Sequence, residues 1–550
     1  MKFRFMTKQS LPVQYTQKSA LIVEAISDMR MSLKAMLKGI GIDHVDLAKS
    51  GEEAVLRCDE HDYDIIICDY QLSKGKTGLQ VLEELRASQL VKASAVYIIM
   101  TAGSTRAILM GTLEHKPDDF LVKPFTQSTF ERRVNAACKE KRYFKSVYTA
   151  LDNDNMTGAL ASVEALMLDI DQYPTKTKKM FGELLLKAKD FAKAQAFYQE
   201  MMDEKRQEWA SLGCARAMIG LDDWSAAKRV LYELIDHGCE NPQVFDRIVD
   251  VELALGKPEI AQTVLERATV ISPLGIMRYI RLVEIATMNH EYLAVEKSFR
   301  QLIRIGVNSY HSSYEHSLGL ARCLLEKEKL QQSGNEQIIK ECYSLCHQVK
   351  KKHANNEHAL MQAKLIEVKA VAQQGQIYQA IEQCKILYEQ YSQYQDIDAG
   401  LGLDMVNALL SINWDEQGVD VAQSLSKSDT NDSLIKLQLS NIKQVCDEKA
   451  VLMNAVNINH QGKLLYEQGK LEQAIDHFRQ AIKEHPTNIE LKLNLVLTIQ
   501  KLIEADADNM TMLTEADELL SALSDLSESH SVFDRYETIS RDIEKLRLAA

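Results

Sequence analysis

Four side chains suited to phosphoryl chemistry lie within the first quarter of the sequence. Glu24, Asp69, Thr101 and Lys123 each follow directly on a short apolar run. Carboxylates bind divalent cations, and one carboxylate can attack a phosphoryl group as a nucleophile. A hydroxyl and an ammonium can neutralise the phosphoryl oxygens. If these four side chains lie together, they form a site that accepts a phosphoryl group.

The elements that must hold them are short strands alternating with helices. Predicted strands cover Leu21–Val23, Val45–Ala48, Asp64–Cys68, Val96–Met100 and Asp119–Val122. Predicted helices cover Met31–Leu37, Gly51–Cys58 and Leu79–Arg86, and a further helix begins near Gln127. This alternation predicts an α/β fold with a doubly wound, five-stranded parallel sheet. In such sheets functional groups gather at the carboxyl ends of the strands, where these four residues stand.

The amino-acid composition argues against several classes of protein, among them nucleic-acid-binding, membrane-spanning and secreted proteins. The 550 residues hold 65 basic and 78 acidic side chains, a net charge of −13, which argues against nucleic acid as the primary ligand. Only 8 prolines and 23 glycines occur, so most of the chain is expected to be helical. No apolar stretch is long enough for a membrane span, and no secretion signal is visible. The ten cysteines form no paired framework, and cytoplasmic localisation is expected.

Residues 19–140 resemble the receiver domain of bacterial two-component response regulators, a flavodoxin-like fold. The resemblance is carried by four motifs in order: Leu21–Arg30, Cys68–Leu72, Met100–Gly103 and Asp119–Phe125. It implies that a sensor histidine kinase phosphorylates Asp69. It also implies that Thr101 and Phe120 are switch residues, that Lys123 pairs with the phosphoryl group, and that an unusual peptide geometry follows at Pro124. Phe120 taken alone is more typical of a core residue than of a switch residue.

The resemblance further implies a Mg²⁺ site formed by Glu24, Asp69 and the backbone carbonyl of Gln71. Two departures affect this expectation. Receivers usually carry two adjacent acids after the first strand, whereas here Ala25 follows Glu24. Ser73 stands where proline is usual, and the loop that leads to Gly78 is about one residue longer. A receiver that cannot be phosphorylated and only binds partners therefore stays open as an alternative.

From about residue 150 a repeat of about 34 residues replaces the strand pattern. An aromatic or apolar residue is followed three positions later by a small or apolar one at Phe191/Ala194, Trp224/Ala227, Pro258/Ala261, Tyr292/Val295, Ile377/Ala380 and Leu471/Ala474. This spacing is typical of tetratricopeptide (TPR) repeats, in which paired helices stack and small residues allow close packing. The run from Gly462 to Pro486 resembles one full repeat.

The predicted organisation has four parts. Residues 1–18 form an extension, 19–140 the receiver, 141–500 an all-α TPR superhelix of eight to ten helix pairs, and 501–550 capping helices. The repeat register is poor at 308–370 and 400–455, where insertions or divergent repeats are expected.

Helical walls of this kind bind peptides or domains, and the repeats contain no recognised catalytic motif, so enzymatic output is not expected. The expected function is a response regulator whose TPR array binds an unidentified protein, with feedback on its own kinase or on another regulator. Neither DNA nor membrane is an expected partner, and a homodimer stays open. Two further alternatives are a TPR-containing transcriptional regulator and a phosphatase that acts on another receiver. The first lacks a helix-turn-helix signal, and the second lacks an evident water-orienting side chain.

Overall fold

The computed structural model describes residues 17–549 apart from a set of short gaps. These are 73–74, 104–109, 112–113, 169–171, 205–206, 332–334, 395–396, 426–429, 431, 487, 506–510 and 525–531. The chain divides into two compact units, 1–363 and 364–550. Most of the predicted extension, and Ser73 in the predicted loop, lie outside the described residues.

The first unit begins with a five-stranded parallel sheet in the order β2-β1-β3-β4-β5. The strands are β1 (Ser19–Val23), β2 (His44–Ala48), β3 (Ile65–Asp69), β4 (Val96–Thr101) and β5 (Asp119–Val122). Side chains alternate across the sheet, so Ile22, Ile67 and Ile98 belong to one apolar cluster. Leu21, Ile66 and Tyr97 belong to the cluster on the opposite face. Each face is covered, as a parallel sheet requires.

Four helices in this region connect or follow the strands: α1 (Ser27–Gly39), α2 (Gly51–Glu60), α3 (Gly78–Ala87) and α4 (Gln127–Tyr143). Side chains of Ser50, Thr77 and Thr126 accept hydrogen bonds from backbone N–H groups in the first turns of α2, α3 and α4. Thr77 and Gln80 form a reciprocal capping box. The predicted doubly wound α/β domain is confirmed.

A second helix follows α4 without an intervening loop. Phe144 lies between α4 and α5 (Lys145–Asp152), and its ring is fully buried. Asp152, at the end of α5, accepts hydrogen bonds from Ala93 N at 2.6 Å and Ser94 Oγ at 2.5 Å. These contacts fasten the first helices after the sheet to the loop that precedes β4.

Successive helices that pack against their neighbours make up the rest of the first unit. They are α6 (Met156–Leu168), α7 (Pro174–Lys187), α8 (Phe191–Glu204), α9 (Glu208–Gly220), α10 (Trp224–Asp236), α11 (Pro242–Ala254), α12 (Pro258–Ile271), α13 (Ile276–Met288), α14 (Tyr292–Ile305), α15 (Tyr314–Gln331), α16 (Glu336–Lys352) and the start of α17 (Glu357–Gln373).

The second unit is helical throughout its described residues. After α17 it contains α18 (Ile377–Tyr391), α19 (Ala399–Ser411), α20 (Asp415–Ser424), α21 (Ser433–Glu467), α22 (Leu471–Glu484), α23 (Ile489–Ala505), α24 (Leu513–Ser521) and α25 (Phe533–Ala549). The long all-helical region is thus confirmed. Within the described part of the chain, none of the helices combines the length and apolar character that crossing a bilayer requires.

Close approach of glycine and aromatic side chains recurs between paired helices. A Cβ atom at Gly182 would lie 2.5 Å from the Tyr198 ring, and one at Gly462 would lie 2.5 Å from the Phe478 ring. Ala194 and Ala474, two of the small residues of the predicted repeat, are fully buried. The small positions therefore sit where helices meet, as the TPR pattern predicts.

Helix length explains the poor register of two segments. Helices α12 and α14 have 14 residues each, whereas α15 has 18 and α16 has 17. The added turns shift the small and aromatic positions away from the repeat period. Near the second segment, α21 runs for 35 residues without interruption and so contributes no turn signal.

Candidate functional site

The carboxyl ends of four strands carry the predicted site residues. Asp69 is the last residue of β3 and pairs in register with Met100. Thr101 is the last residue of β4, one position further along the chain than Met100. Its carbonyl accepts a 2.7 Å hydrogen bond from Lys123 N, which follows β5. Glu24 N, after β1, donates to Ala48 O at 3.1 Å. The parallel register therefore brings all four positions to one edge of the sheet.

The Lys123 side chain joins the two carboxylates. Its ammonium lies 2.7 Å from Glu24 Oε2 and 3.0 Å from Asp69 Oδ2. Glu24 is 1 % exposed and Asp69 is 7 % exposed, so both carboxylates need a positive partner. The structure thus brings Glu24, Asp69 and Lys123 into direct contact.

Glu24 is further fixed by the turn that follows it. Its Oε1 accepts a 3.0 Å hydrogen bond from Ile26 N. The guanidinium of Arg30 donates to the carbonyls of Glu24, at 2.5 Å, and Ala25, at 2.8 Å. Sequence reasoning missed the role of Arg30, because its targets are backbone oxygens that no residue pattern marks. Arg30 holds the turn at the edge of the site and leaves the carboxylates to Lys123.

Burial and charge shift two pKa values in the site. Burial raises the pKa of Asp69, and the nearby Glu24 raises it further, although hydrogen bonds from Lys123 and from the Gln71 backbone oppose the change. Burial alone would lower the pKa of Lys123, but hydrogen bonds to Glu24 and Asp69 outweigh it and the pKa is raised. Lys123 is therefore a firmly charged ammonium beside a carboxylate that binds a proton more readily than a free one.

The two predicted switch residues have different surroundings. Thr101 is 3 % exposed, and its hydroxyl donates a 2.7 Å hydrogen bond to the Gly103 carbonyl. Phe120 is partly buried and packs against the apolar cluster that contains Leu79 and Tyr97. The Phe120 carbonyl accepts a 2.7 Å bond from Arg133. A switch role for Thr101 and Phe120 stays a prediction.

The donor set suits a hard cation that retains water ligands. The candidate ligands for Mg²⁺ are oxygens of Glu24 and Asp69 and the carbonyl of the exposed residue Gln71. Mg²⁺ is typically held by one or two carboxylates and keeps several waters, so these residues fit it. Ala25 adds no side-chain oxygen. The described residues contain no group of three or more His, Cys, Asp or Glu side chains arranged to hold a metal.

Backbone geometry close to Asp69 and Lys123 is also unusual. The Lys123–Pro124 peptide bond is cis, in keeping with the geometry expected at Pro124. On the other side, a Cβ atom at Gly78 would lie 2.4 Å from the carbonyl oxygen of Asp69. Gly78 N in turn donates a 2.9 Å bond to Tyr70 O. The start of α3 therefore lies directly on the backbone of the candidate phosphoacceptor.

Comparison with known proteins assigns the sheet domain. The family described as response regulator receiver domain matches residues 20–135, and the family described as tetratricopeptide repeat matches residues 457–488. Chemotaxis protein CheY-3 of Vibrio cholerae is 28% identical over 115 residues, which cover 21% of this chain and 87% of that protein. Chemotaxis protein CheY of Pseudomonas aeruginosa is 26% identical over 114 residues, 21% of this chain and 90% of that protein.

Solved structures match a similar share of the chain. The response regulator TrrA from Thermotoga maritima, in complex with Mg²⁺ and BeF, is 29% identical, covers 22% of this chain and 98% of its own, and gives a TM-score of 0.20. A two-component response regulator from Clostridium difficile is 26% identical, covers 22% and 97%, and gives 0.21. The two family matches show that the chain carries an N-terminal receiver domain of the two-component response regulator type, joined to a long helical region that contains a tetratricopeptide repeat.

Proposed function

We propose that the protein is a response regulator that a sensor histidine kinase phosphorylates on Asp69, and whose output is protein binding through its TPR repeats. One observation carries the proposal: the ammonium of Lys123 bridges the buried carboxylates of Glu24 and Asp69 at the carboxyl edge of the sheet. A purely structural carboxylate at a strand end does not require this convergence from three strands.

Phosphoryl transfer gives each residue a part. A carboxylate oxygen of Asp69 attacks the phosphorus of a kinase phosphohistidine, a P–O bond forms, and the P–N bond breaks. The imidazole leaves and takes up a proton from solvent. Lys123 can pair with the negatively charged oxygens of the new phosphoryl group, because its ammonium already contacts Asp69. The Thr101 hydroxyl, now donated to Gly103 O, can turn towards a phosphoryl oxygen.

Mg²⁺ would be held by Glu24, Asp69 and the Gln71 carbonyl, and it would neutralise charge on the transferring group. The chain itself supplies the nucleophile and the fixed ammonium. Because Ala25 lacks a carboxylate, we expect weaker metal binding than a site with two adjacent acids would give.

The proposed output of phosphorylation is a change in protein binding by the helical repeats. A phosphoryl group adds about −1.5 to −2 charges at neutral pH, which is enough to reorder the contacts of Lys123 and Thr101. We propose that this change alters how the repeats meet a protein partner. That partner is the kinase itself, through feedback, or another regulator. A second form of output is the formation of a homodimer.

The test uses a small phosphodonor with Mg²⁺ and the full chain. Intact-mass spectrometry should detect one phosphoryl adduct in the wild type and none in Asp69→Asn, which keeps the side-chain shape but removes the nucleophile. Asp62→Asn is the matched control, since Asp62 is an exposed acid of the same domain paired with Lys92. An adduct that survives in Asp69→Asn would refute the assignment.

A second candidate function is a receiver that binds partners without being phosphorylated. The observation that favours it is the state of Glu24: one carboxylate oxygen is bonded to Ile26 N, the other to Lys123, and Ala25 offers no substitute. In that case the wild type would take no label at any Mg²⁺ concentration, while its repeats would still bind their partner.

A further inference from the structure

Besides the α4–α5 junction, the receiver and the repeats of the first unit touch through a polar surface. On the receiver side it comprises Lys76, Gln80, Glu83 and Glu114, and on the repeat side Ser272, Gly275, Arg278 and residues 305–311. We call this set the docking surface. The receiver side and the repeat side are distant in sequence, since even Glu114 and Ser272 are 158 positions apart.

One half of the docking surface is a cradle for a carboxylate. Arg278 is held by Asp246 through two hydrogen bonds of 2.8 and 2.7 Å, which leaves its third nitrogen to bind Glu114 Oε1 at 2.5 Å. The fully buried Ser272 hydroxyl donates to the same oxygen at 2.6 Å. A Cβ atom at Gly275 would lie 2.6 Å from the Arg278 side chain. The cradle is preorganised, and Glu114 fills it.

The other half is held by longer and more exposed bonds. The Lys76 ammonium donates to Asn308 O at 2.9 Å, and the Gln80 amide reaches Ile305 O at 3.4 Å and Val307 O at 3.3 Å. Glu83 faces His311 at 3.2 Å. The distances from Gln80 are near the upper limit for a hydrogen bond, so a small movement of this segment would break these contacts first.

This weaker half is connected directly to the phosphorylation site. Lys76, Gly78 and Gln80 form the end of the β3–α3 loop and the first turn of α3, and Gly78 rests on the Asp69 carbonyl. Because these residues follow Asp69 closely in the chain, a change in the backbone after Asp69 also moves the Lys76 and Gln80 donors, which bind carbonyls of residues 305–308.

We propose that the β3–α3 segment is an interaction surface for the repeats, and that phosphorylation of Asp69 releases it from residues 305–311 and frees Glu114 from the Arg278 cradle. This inference rests on the proposed function, because it assigns the route by which Asp69 controls the repeats. The unphosphorylated chain is docked, and the phosphorylated chain presents the cradle and the 305–311 turn to solvent.

Carboxyl footprinting of the full chain tests the proposal. Carbodiimide coupling of glycine ethyl ester, read by peptide mass spectrometry, reports on Glu114 and Glu83, whose side chains are each 16 % exposed when docked. Asp476, whose side chain is 78 % exposed in the second unit, serves as the internal reference. Phosphodonor with Mg²⁺ should increase labelling of Glu114 and Glu83 severalfold in the wild type and leave it unchanged in Asp69→Asn.

Variants separate docking from phosphorylation. Lys76→Met removes the bond to Asn308 together with the ion pair to Glu84, and it should increase labelling of Glu83 and Glu114 without any donor. Lys92→Met, which removes another ion-paired receiver lysine, should behave as the wild type. A wild type that acquires the phosphoryl adduct while Glu83 and Glu114 keep their original reactivity would overturn the inference alone. Absence of the adduct would overturn the proposed function and, with it, the control by phosphorylation.

Discussion

Gly78 lies so close to Asp69 that a Cβ atom at position 78 would sit 2.4 Å from the Asp69 carbonyl oxygen. The atom it would meet is backbone, so the strain cannot be relieved by a side-chain rotation. The first turn of α3 and the candidate phosphoacceptor therefore move together.

Gly78→Ala is expected to lower the free energy of unfolding of the first unit by about 1–3 kcal/mol, because overpacking outweighs the better helix propensity of alanine. Urea unfolding followed by circular dichroism measures the change. Gly39→Ala is the matched control: the nearest atom to its Cβ position is the Gln127 side-chain nitrogen at 3.5 Å, so it should be neutral or slightly stabilising. Equal effects of the two variants would contradict the close packing.

Lys123→Met leaves Glu24 and Asp69 buried together without their cation. We expect a loss of about 2–4 kcal/mol at neutral pH, since an uncompensated buried charge is costly. The loss should shrink as pH falls, because protonation of Asp69, whose pKa burial already raises, removes the repulsion. In the wild type the raised pKa of Lys123 means that its contribution is complete below its ordinary value near 10.5 and is lost as pH rises through the folded value.

Urea titrations of the wild type and Lys123→Met at several pH values measure this dependence. Lys92→Met should cost less than about 1 kcal/mol, because the Lys92–Asp62 pair is exposed. A pH-independent loss in Lys123→Met would point to lost packing in place of lost charge.

The rate of phosphorylation should fall in mild acid. Asp69 must be ionised to attack phosphorus, and its pKa is raised by burial and by Glu24. The rate should therefore decline as pH falls through a value higher than the ordinary aspartate pKa of about 3.9. Initial rates of adduct formation between about pH 4 and 8, with donor stability measured in parallel, provide the test. A rate that stays constant down to pH 4 would conflict with the raised pKa.

Ala25→Asp is expected to restore the second acid that receivers usually carry. An added carboxylate should strengthen Mg²⁺ binding, so half-maximal labelling should need about tenfold less Mg²⁺. Labelling of Asp69 as a function of Mg²⁺ concentration measures this shift. Ala25→Asn supplies the same shape without the charge and should produce a smaller change. Identical Mg²⁺ curves for Ala25→Asp and the wild type would argue that residue 25 does not face the metal.

Gly462→Ala should destabilise the second unit by about 1–3 kcal/mol, because the added carbon meets the Phe478 ring at 2.5 Å. Phe478→Leu alone should also destabilise it, because it leaves unfilled space beside the glycine. In the double variant the two effects should partly cancel, which a double-mutant cycle of urea unfolding detects. Strictly additive losses would contradict direct contact between positions 462 and 478.

The sequence was sufficient for the sheet and for the gathering of Glu24, Asp69 and Lys123. Each strand is a compact apolar run, and a parallel sheet brings the carboxyl ends of its strands to one edge. The docking of Glu114 against Arg278 could not be predicted, because it depends on how all the successive helix pairs between these two residues turn. Arg30 was missed for another reason, since its partners are carbonyl oxygens common to every residue.

The repeat pattern was predictable where helices are short and of constant length, and it failed where they are longer. Ala194, Ala227 and Ala261 follow the repeat period and are all fully buried. In α15 and α16 the period is lost although the helices still pack in pairs. Periodicity depends on constant helix length, whereas packing does not.

The direct passage from α4 to α5 through the buried Phe144 makes the junction sensitive to helical phase. Since an α-helix has 3.6 residues per turn, a residue inserted in the last turn of α4 would rotate the part of the first unit that follows by about 100°. Such a rotation would carry Arg278 away from Glu114. The length of this junction is therefore as strictly constrained as the identity of a site residue, even though no side chain in it performs chemistry.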